Sequence, residues 1–91
     1  MLSASERKAL KAKAHGLEPV VLIGGKGLTD ALVAEVDFAL KSHELIKVRA
    51  AAMDRHEREA AFSELCGRTA AEAVQHIGKV FVLYRKKPDP E

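Results

Sequence analysis

The chain is poor in most of what would commit it to secretion, membrane insertion or catalysis. It has one cysteine, Cys66, in 91 residues, so no disulfide can form within it and an oxidising compartment is not implied. No apolar run approaches the ~20 residues needed to cross a bilayer. Residues 1–15 carry Arg7, Lys8, Lys11 and Lys13 but no apolar h-region, so a secretory signal is not expected. These absences point to a cytoplasmic protein with no membrane partner. Tryptophan is missing, and three phenylalanines and one tyrosine are the only aromatics, leaving few rings to spare once a core is filled. An excess of charge of one sign is lacking too: a net +2 does not by itself argue for a polyanionic partner.

What is present is the composition of an ordinary globule, 47% hydrophobic and 31% charged, enough for a modest core without metal or disulfide. No internal repeat or long linker divides it. One domain over residues 1–86 is expected, with a loose tail at 87–91 containing Pro88 and Pro90. The charges are unevenly placed. Ser3 to His15 holds four basic residues against Glu6 alone, whereas Leu28 to Glu44 holds Asp30, Glu35, Asp37 and Glu44 against Lys41. Basic charge returns at Lys47 and Arg49, and again at Lys79, Arg85, Lys86 and Lys87. The small total conceals a dipolar surface that can hold a polyanion on one side.

Periodicity and capping signals give seven elements. Ser3 and Glu6 stand at capping-box spacing and open a first helix that should end near His15, with Gly16 in a left-handed position and Pro19 preventing continuation. Its apolar stripe is thin, with Ala9, Leu10 and Ala14. Val20 to Ile23 reads as a short buried strand. A second helix starts after the N-cap Thr29 and turns Leu32, Val33, Val36, Ala39 and Leu40 inward. Leu45 to Ala50 alternates, with Ile46, Val48 and Ala50 on one face and Leu45, Lys47 and Arg49 on the other. Asp54 and Glu57 open a third helix carrying Ala61, Phe62, Leu65 and Cys66 inward and ending near Gly67. Strands at Ala73–Ile77 and Val80–Arg85 close the chain around a Gly78-Lys79 hairpin turn. The order α-β-α-β-α-β-β implies an α/β domain with a mixed four-stranded sheet and three helices: helical crossovers favour parallel neighbours, and the hairpin adds an antiparallel edge.

The most informative stretch is Leu22-Ile23-Gly24-Gly25-Lys26-Gly27-Leu28-Thr29. Three glycines between a strand and a helix N-terminus let backbone approach a ligand closely, and free N–H groups there attract anions. A tight turn that merely needs positive φ explains the glycines equally well. A Walker loop fails because Lys26 is followed by Gly27, and a dinucleotide fingerprint fails because its third glycine position holds Asp30. What remains is Gly24-x-x-Gly27, a G-x-x-G clamp of the type that RNA-binding folds press on a phosphodiester backbone.

The histidines carry no catalytic pattern. His15 and His43 fall in the last turns of helices, His56 opens the third helix and His76 lies on a strand; no His/Cys spacing suits zinc. Cys66 belongs to an apolar helix face. No catalytic group, metal or cofactor is expected. Phe62 and Phe81 are assigned to the core, and Tyr84 to a strand end, so nucleic acid would be held by backbone shape and charge.

Several runs resemble CRM-domain proteins, the chloroplast RNA splicing and ribosome maturation family, in their stand-alone bacterial YhbY-like form. They are Ala14-His15-Gly16-Leu17-Glu18-Pro19-Val20-Val21-Leu22-Ile23-Gly24, the clamp through Thr29, His43-Glu44-Leu45-Ile46-Lys47-Val48, Val74-Gln75-His76-Ile77-Gly78-Lys79, and Val82-Leu83-Tyr84-Arg85. The resemblance spans nearly the whole chain in order. It implies a fold similar to the C-terminal domain of bacterial translation initiation factor three, and RNA binding with Gly24, Gly25, Lys26 and Gly27 in contact. It also implies association with precursors of the large ribosomal subunit.

The expectation is therefore a monomeric RNA-binding assembly factor without enzymatic activity, cofactor or small-molecule substrate, acting on ribosomal RNA of large-subunit precursors. Arg7, Lys8, Lys11, Lys13, Lys47 and Arg49 would flank the clamp, and the acid-rich third helix would face away. The alternative is a protein-interaction module working through Asp30, Glu35 and Asp37 on the second helix. A nucleotide-dependent enzyme is disfavoured for want of catalytic groups.

Overall fold

The computed structural model describes residues 2–88. Its elements are α1 (Ala4–Ala14), β1 (Pro19–Leu22), α2 (Asp30–His43), β2 (Leu45–Arg49), α3 (Arg55–Thr69), β3 (Glu72–Ile77) and β4 (Val80–Tyr84). The expected α-β-α-β-α-β-β order holds. All three helix starts follow from local chemistry. Ser3 and Glu6 form a reciprocal capping box, as do Asp54 and Glu57, and the Thr29 hydroxyl accepts from the Leu32 N–H.

The sheet order is β1-β2-β4-β3. β1 and β2 are parallel, while β4 runs antiparallel to both β2 and β3. The closing hairpin therefore does not simply append an edge: β4 inserts beside β2 and leaves β3 outermost. This suits their sequences, since β4 buries Phe81, Val82 and Leu83, whereas β3 buries only Val74. Gly78 takes φ +54° at the first central position of the two-residue turn, as a type II′ hairpin requires.

The sheet is covered on both faces. On one, α2 and α3 bury Val21, Ile46, Val48, Phe81 and Leu83 with Val36, Leu40, Phe62 and Leu65. On the other, α1 brings Ala14 and Leu10 onto Leu45, Val74, Val82 and Tyr84. Arg85 links the helical layer to the sheet: its guanidinium donates to the Asp37 carboxylate at 2.7 Å and to the carbonyls of Asp37 and Thr69.

Four local expectations are corrected. Gly16 is not left-handed; α1 ends through a turn in which the Leu17 N–H donates to the Ala14 carbonyl. Ala9 faces water, so α1 packs through an even narrower stripe than expected. Val20–Ile23 is not a fully buried strand: β1 is an edge strand, with Val21 and Ile23 buried but Val20 and Leu22 exposed. α3 continues through Gly67 to Thr69, and the left-handed residue that ends it is Ala70. Helix continuity wins there because buried Leu65 and Thr69 keep the apolar face in register, and the Thr69 hydroxyl donates to the Leu65 carbonyl. Of the tail at 87–91, the Lys87 N–H donates to the Glu44 carboxylate, and residues 89–91 lie outside the described residues.

Candidate nucleic-acid interface

The three-glycine segment leaves the end of β1 as a closed turn. The Gly27 N–H donates to the Gly24 carbonyl at 3.1 Å, which puts Gly25 and Lys26 at the tip. Gly27 has φ +70°, which is what makes glycine the residue the backbone demands there; a Cβ would meet Met53 only at an ordinary contact distance of 3.7 Å. Gly24 and Gly25 are different. Neither has positive φ, and a Cβ on either would meet nothing within 4 Å. The fold alone therefore accounts for one of the three glycines, and the other two leave bare backbone in open solvent beside an exposed lysine.

The remaining expected site residues divide. Arg49 is exposed on the sheet face shared with α1, one strand from Leu22. Lys47 lies on the same face, but its ammonium donates to the Leu17 carbonyl and so anchors the α1–β1 connection. Arg7 is likewise engaged, donating through its guanidinium to the Ala73 carbonyl of the edge strand β3 at 3.2 Å. Lys8, Lys11 and Lys13 are exposed on α1. Because α1 covers Leu45 and Tyr84, its cations sit toward the opposite end of β2 from the glycine turn, about 13 Å along the strand. Lys13 lines a hollow with His43, Glu44 and Tyr84. Lys11 stands one turn after Arg7, on the flank whose guanidinium reaches Ala73 of β3, and the 3.6-residue period turns Lys8 away from the sheet. The expected cations therefore do not form one cluster: Lys26 and Arg49 lie at the turn end of the sheet, and the α1 lysines lie apart from them.

The structure adds residues that the sequence argument left out. Lys79, in the hairpin turn, lies next to the end of β2, since its carbonyl accepts from the Ala50 N–H at 2.7 Å. The start of α3 borders the same end of the sheet: Met53, just before it, lies near Gly27, and Arg55, Arg58 and Glu59 line a hollow with His76 and Gly78, Arg55 paired with Glu59 at 3.5 Å. Chain order hides this proximity, which arises because β4 returns beside β2.

Elsewhere the charged groups are structural. Asp30 pairs with Arg68 at 2.7 Å, and Asp37 pairs with Arg85 and Lys41, so two of the three acids named for α2 are tied within the molecule. Hydrogen bonding from Arg85, then Lys41, holds the Asp37 carboxyl below its ordinary range. Burial, with the Glu72 charge, pushes the half-buried Cys66 thiol up to about 11, so it stays protonated at neutral pH. His76 packs edge-on to Phe62 and Phe81. Among the described residues no group of three His, Cys, Asp or Glu side chains could hold a metal ion, and no helix is long and apolar enough to cross a membrane.

Comparison with known proteins agrees with this architecture. The sequence model described as the CRS1 / YhbY (CRM) domain matches residues 2–85. A Pseudomonas aeruginosa chain named "Probable RNA-binding protein PA4753" is 42% identical over 89 residues, covering 98% of this chain and 86% of that one. A Haemophilus influenzae chain named "RNA-binding protein" is 45% identical over 84 residues, covering 92% and 85%. The solution structure of SAV1595 from Staphylococcus aureus superposes with a TM-score of 0.86 at 28% identity, covering 100% of this chain and 95% of its own.

Proposed function

This chain belongs to the CRS1/YhbY (CRM) domain family, and from that membership we propose that it binds structured RNA through the Gly24–Gly27 turn and the adjoining basic residues. The observation that carries the reading is the bare backbone at Gly24 and Gly25, which the fold does not require and which a phosphodiester can approach closely. Lys26 supplies the charge at the tip, Arg49 and Lys79 extend it along the sheet end, and Lys8, Lys11 and Lys13 add to the field from α1. Arg7 and Lys47 contribute to the field while holding α1 in place.

The RNA is ribosomal, in precursors of the large subunit, and the protein acts as an assembly factor. It works as a monomer in the cytoplasm, with residues 1–86 as its single binding domain, and performs no catalysis and uses no cofactor. The alternative surface, the acidic side of α2, is weakened by the internal pairing of Asp30 and Asp37.

Two measurements test this. Lys26→Glu and Gly25→Ala should each weaken binding to all structured RNAs while leaving thermal stability unchanged; unaltered affinity in both folded variants removes the turn from the interface. Lysate fractionated on sucrose gradients should show the protein with large-subunit particles at low salt and released at high salt. Migration only at the top of the gradient in both salts would exclude the ribosomal reading.

A further inference from the structure

Strand pairing aligns four side chains in one row across the sheet: Leu22 with Arg49, Arg49 with Val80, and Val80 with Ile77. Arg49 shares its face with Leu45 and Lys47, the face on which α1 lies, and directly paired residues point the same way. The cover from α1 stops short of this row, since its apolar partners are Leu45, Val74, Val82 and Tyr84. Leu22 is left 67% exposed at one edge and Ile77 55% exposed at the other, with the exposed guanidinium of Arg49 between them. A single exposed leucine is unremarkable on a protein surface. Here two large aliphatic side chains flank a planar cation across a surface about 14 Å wide.

Both ends of the row open onto cationic turns. Leu22 runs through Ile23 into the glycine turn with Lys26, and Ile77 is joined to Val80 by Gly78 and Lys79. Neither the row nor these two turns contains a carboxylate, so the surface complements a polyanion along its whole width.

We propose that this row receives the base faces of unpaired RNA while the Gly24–Gly27 turn holds its backbone. The inference rests on the RNA-binding reading above and adds the class of RNA, a single-stranded segment rather than a continuous duplex. An A-form helix presents phosphates and 2′-hydroxyls and keeps its base faces stacked inside, where Leu22 and Ile77 gain nothing from them. Splayed bases can stack on the Arg49 guanidinium and cover both aliphatic side chains. With no ring and no hydrogen-bonding side chain but Arg49 in the row, recognition tolerates sequence. The width suits roughly two or three bases, as on other four-stranded RNA-binding sheets.

Fluorescence anisotropy of the full chain tests this with a short unstructured oligoribonucleotide and a blunt RNA hairpin carrying the same number of phosphates. The wild-type chain should bind the unpaired RNA about tenfold more tightly. The double variant Leu22→Thr, Ile77→Thr keeps β-branched residues in both edge strands, and should lose about tenfold on the unpaired RNA and nothing on the hairpin. Arg49→Gln should weaken the unpaired complex more than the hairpin complex, whereas Lys26→Glu weakens both. If the double variant binds both RNAs as the wild type does, or the wild type shows no preference, the base platform is overturned while RNA binding through the turn stands. Wild-type protein that binds neither RNA overturns the underlying reading as well.

Discussion

Ala70 sits at φ 55° and ψ 35°, a left-handed position that a residue with a Cβ occupies at a cost. The Ala71 N–H returns to the Cys66 carbonyl across it at 3.0 Å, so the turn is fixed by the end of α3 and cannot relax. Ala70→Gly should therefore stabilise the protein by about 1 kcal/mol, read as a rise of roughly 5 °C in the thermal midpoint. The same residue-scale accounting separates the glycines of the β1–α2 turn. Gly27 is a backbone necessity, whereas Gly24 and Gly25 have room for a side chain, so the fold itself tolerates changes there. Sequence alone shows three glycines and assigns the conformational demand to none of them in particular.

At the scale of elements, α1 is held by little apolar area and supplements it with polar ties. Arg7 reaches the β3 carbonyl of Ala73, and Lys47 reaches back to Leu17. Two cations expected to face RNA are thus partly occupied in docking a helix whose buried stripe is too narrow to hold it alone. The opposite layer is tied by Arg85, whose guanidinium bridges the α2 residue Asp37 and the C-terminal residue of α3, Thr69. Arg85→Met would keep the apolar stem and leave the carbonyls of Thr69 and Asp37 without this donor. A loss of about 2 kcal/mol is expected, measured by urea denaturation. Retained stability would mean that α2 and α3 are fixed by the shared core of Leu40, Phe62 and Leu65 without the bridge. The pairing was hidden in the sequence, where residues 37, 69 and 85 belong to different elements.

Across the whole molecule, the cations and acids counted along the chain sort into two populations. Many acids are spent internally, in helix caps and ion pairs: Glu6 on Ser3, Asp54 on Glu57, Asp30 on Arg68 and Asp37 on Arg85. Hydrogen bonds from Ser3, from Arg85 and from the Glu57 N–H lower the carboxyl values of Glu6, Asp37 and Asp54 respectively. A lowered folded value means that the unfolded chain binds more protons as pH falls through the ordinary carboxylate range. The stabilisation is thus present above roughly pH 4 and lost as pH drops below it through the lowered values. Thermal midpoints measured from neutral to acid should hold level and then fall below roughly pH 4; a midpoint unchanged in strong acid would show that these carboxylates contribute nothing. On the cationic side, contact with about five phosphates gives a log–log salt slope of roughly −4 for RNA binding. A slope near zero would show that these cations do not meet the RNA backbone.

The sequence by itself determined the seven elements, their order, the helix starts and the alternation of β2, because capping boxes and hydrophobic periods act within a few residues. It also marked the glycine turn, since glycine and lysine between a strand and a helix are legible wherever they occur. Only the tertiary structure decided that β4 lies between β2 and β3, that β1 is an edge with Leu22 in water, and that the Gly78-Lys79 turn meets the end of β2 beside Arg49. Those facts follow from which strand pairs with which. That choice is made by burial over the whole sheet, where the all-apolar centre of β4 takes an inner position, and not by any local signal.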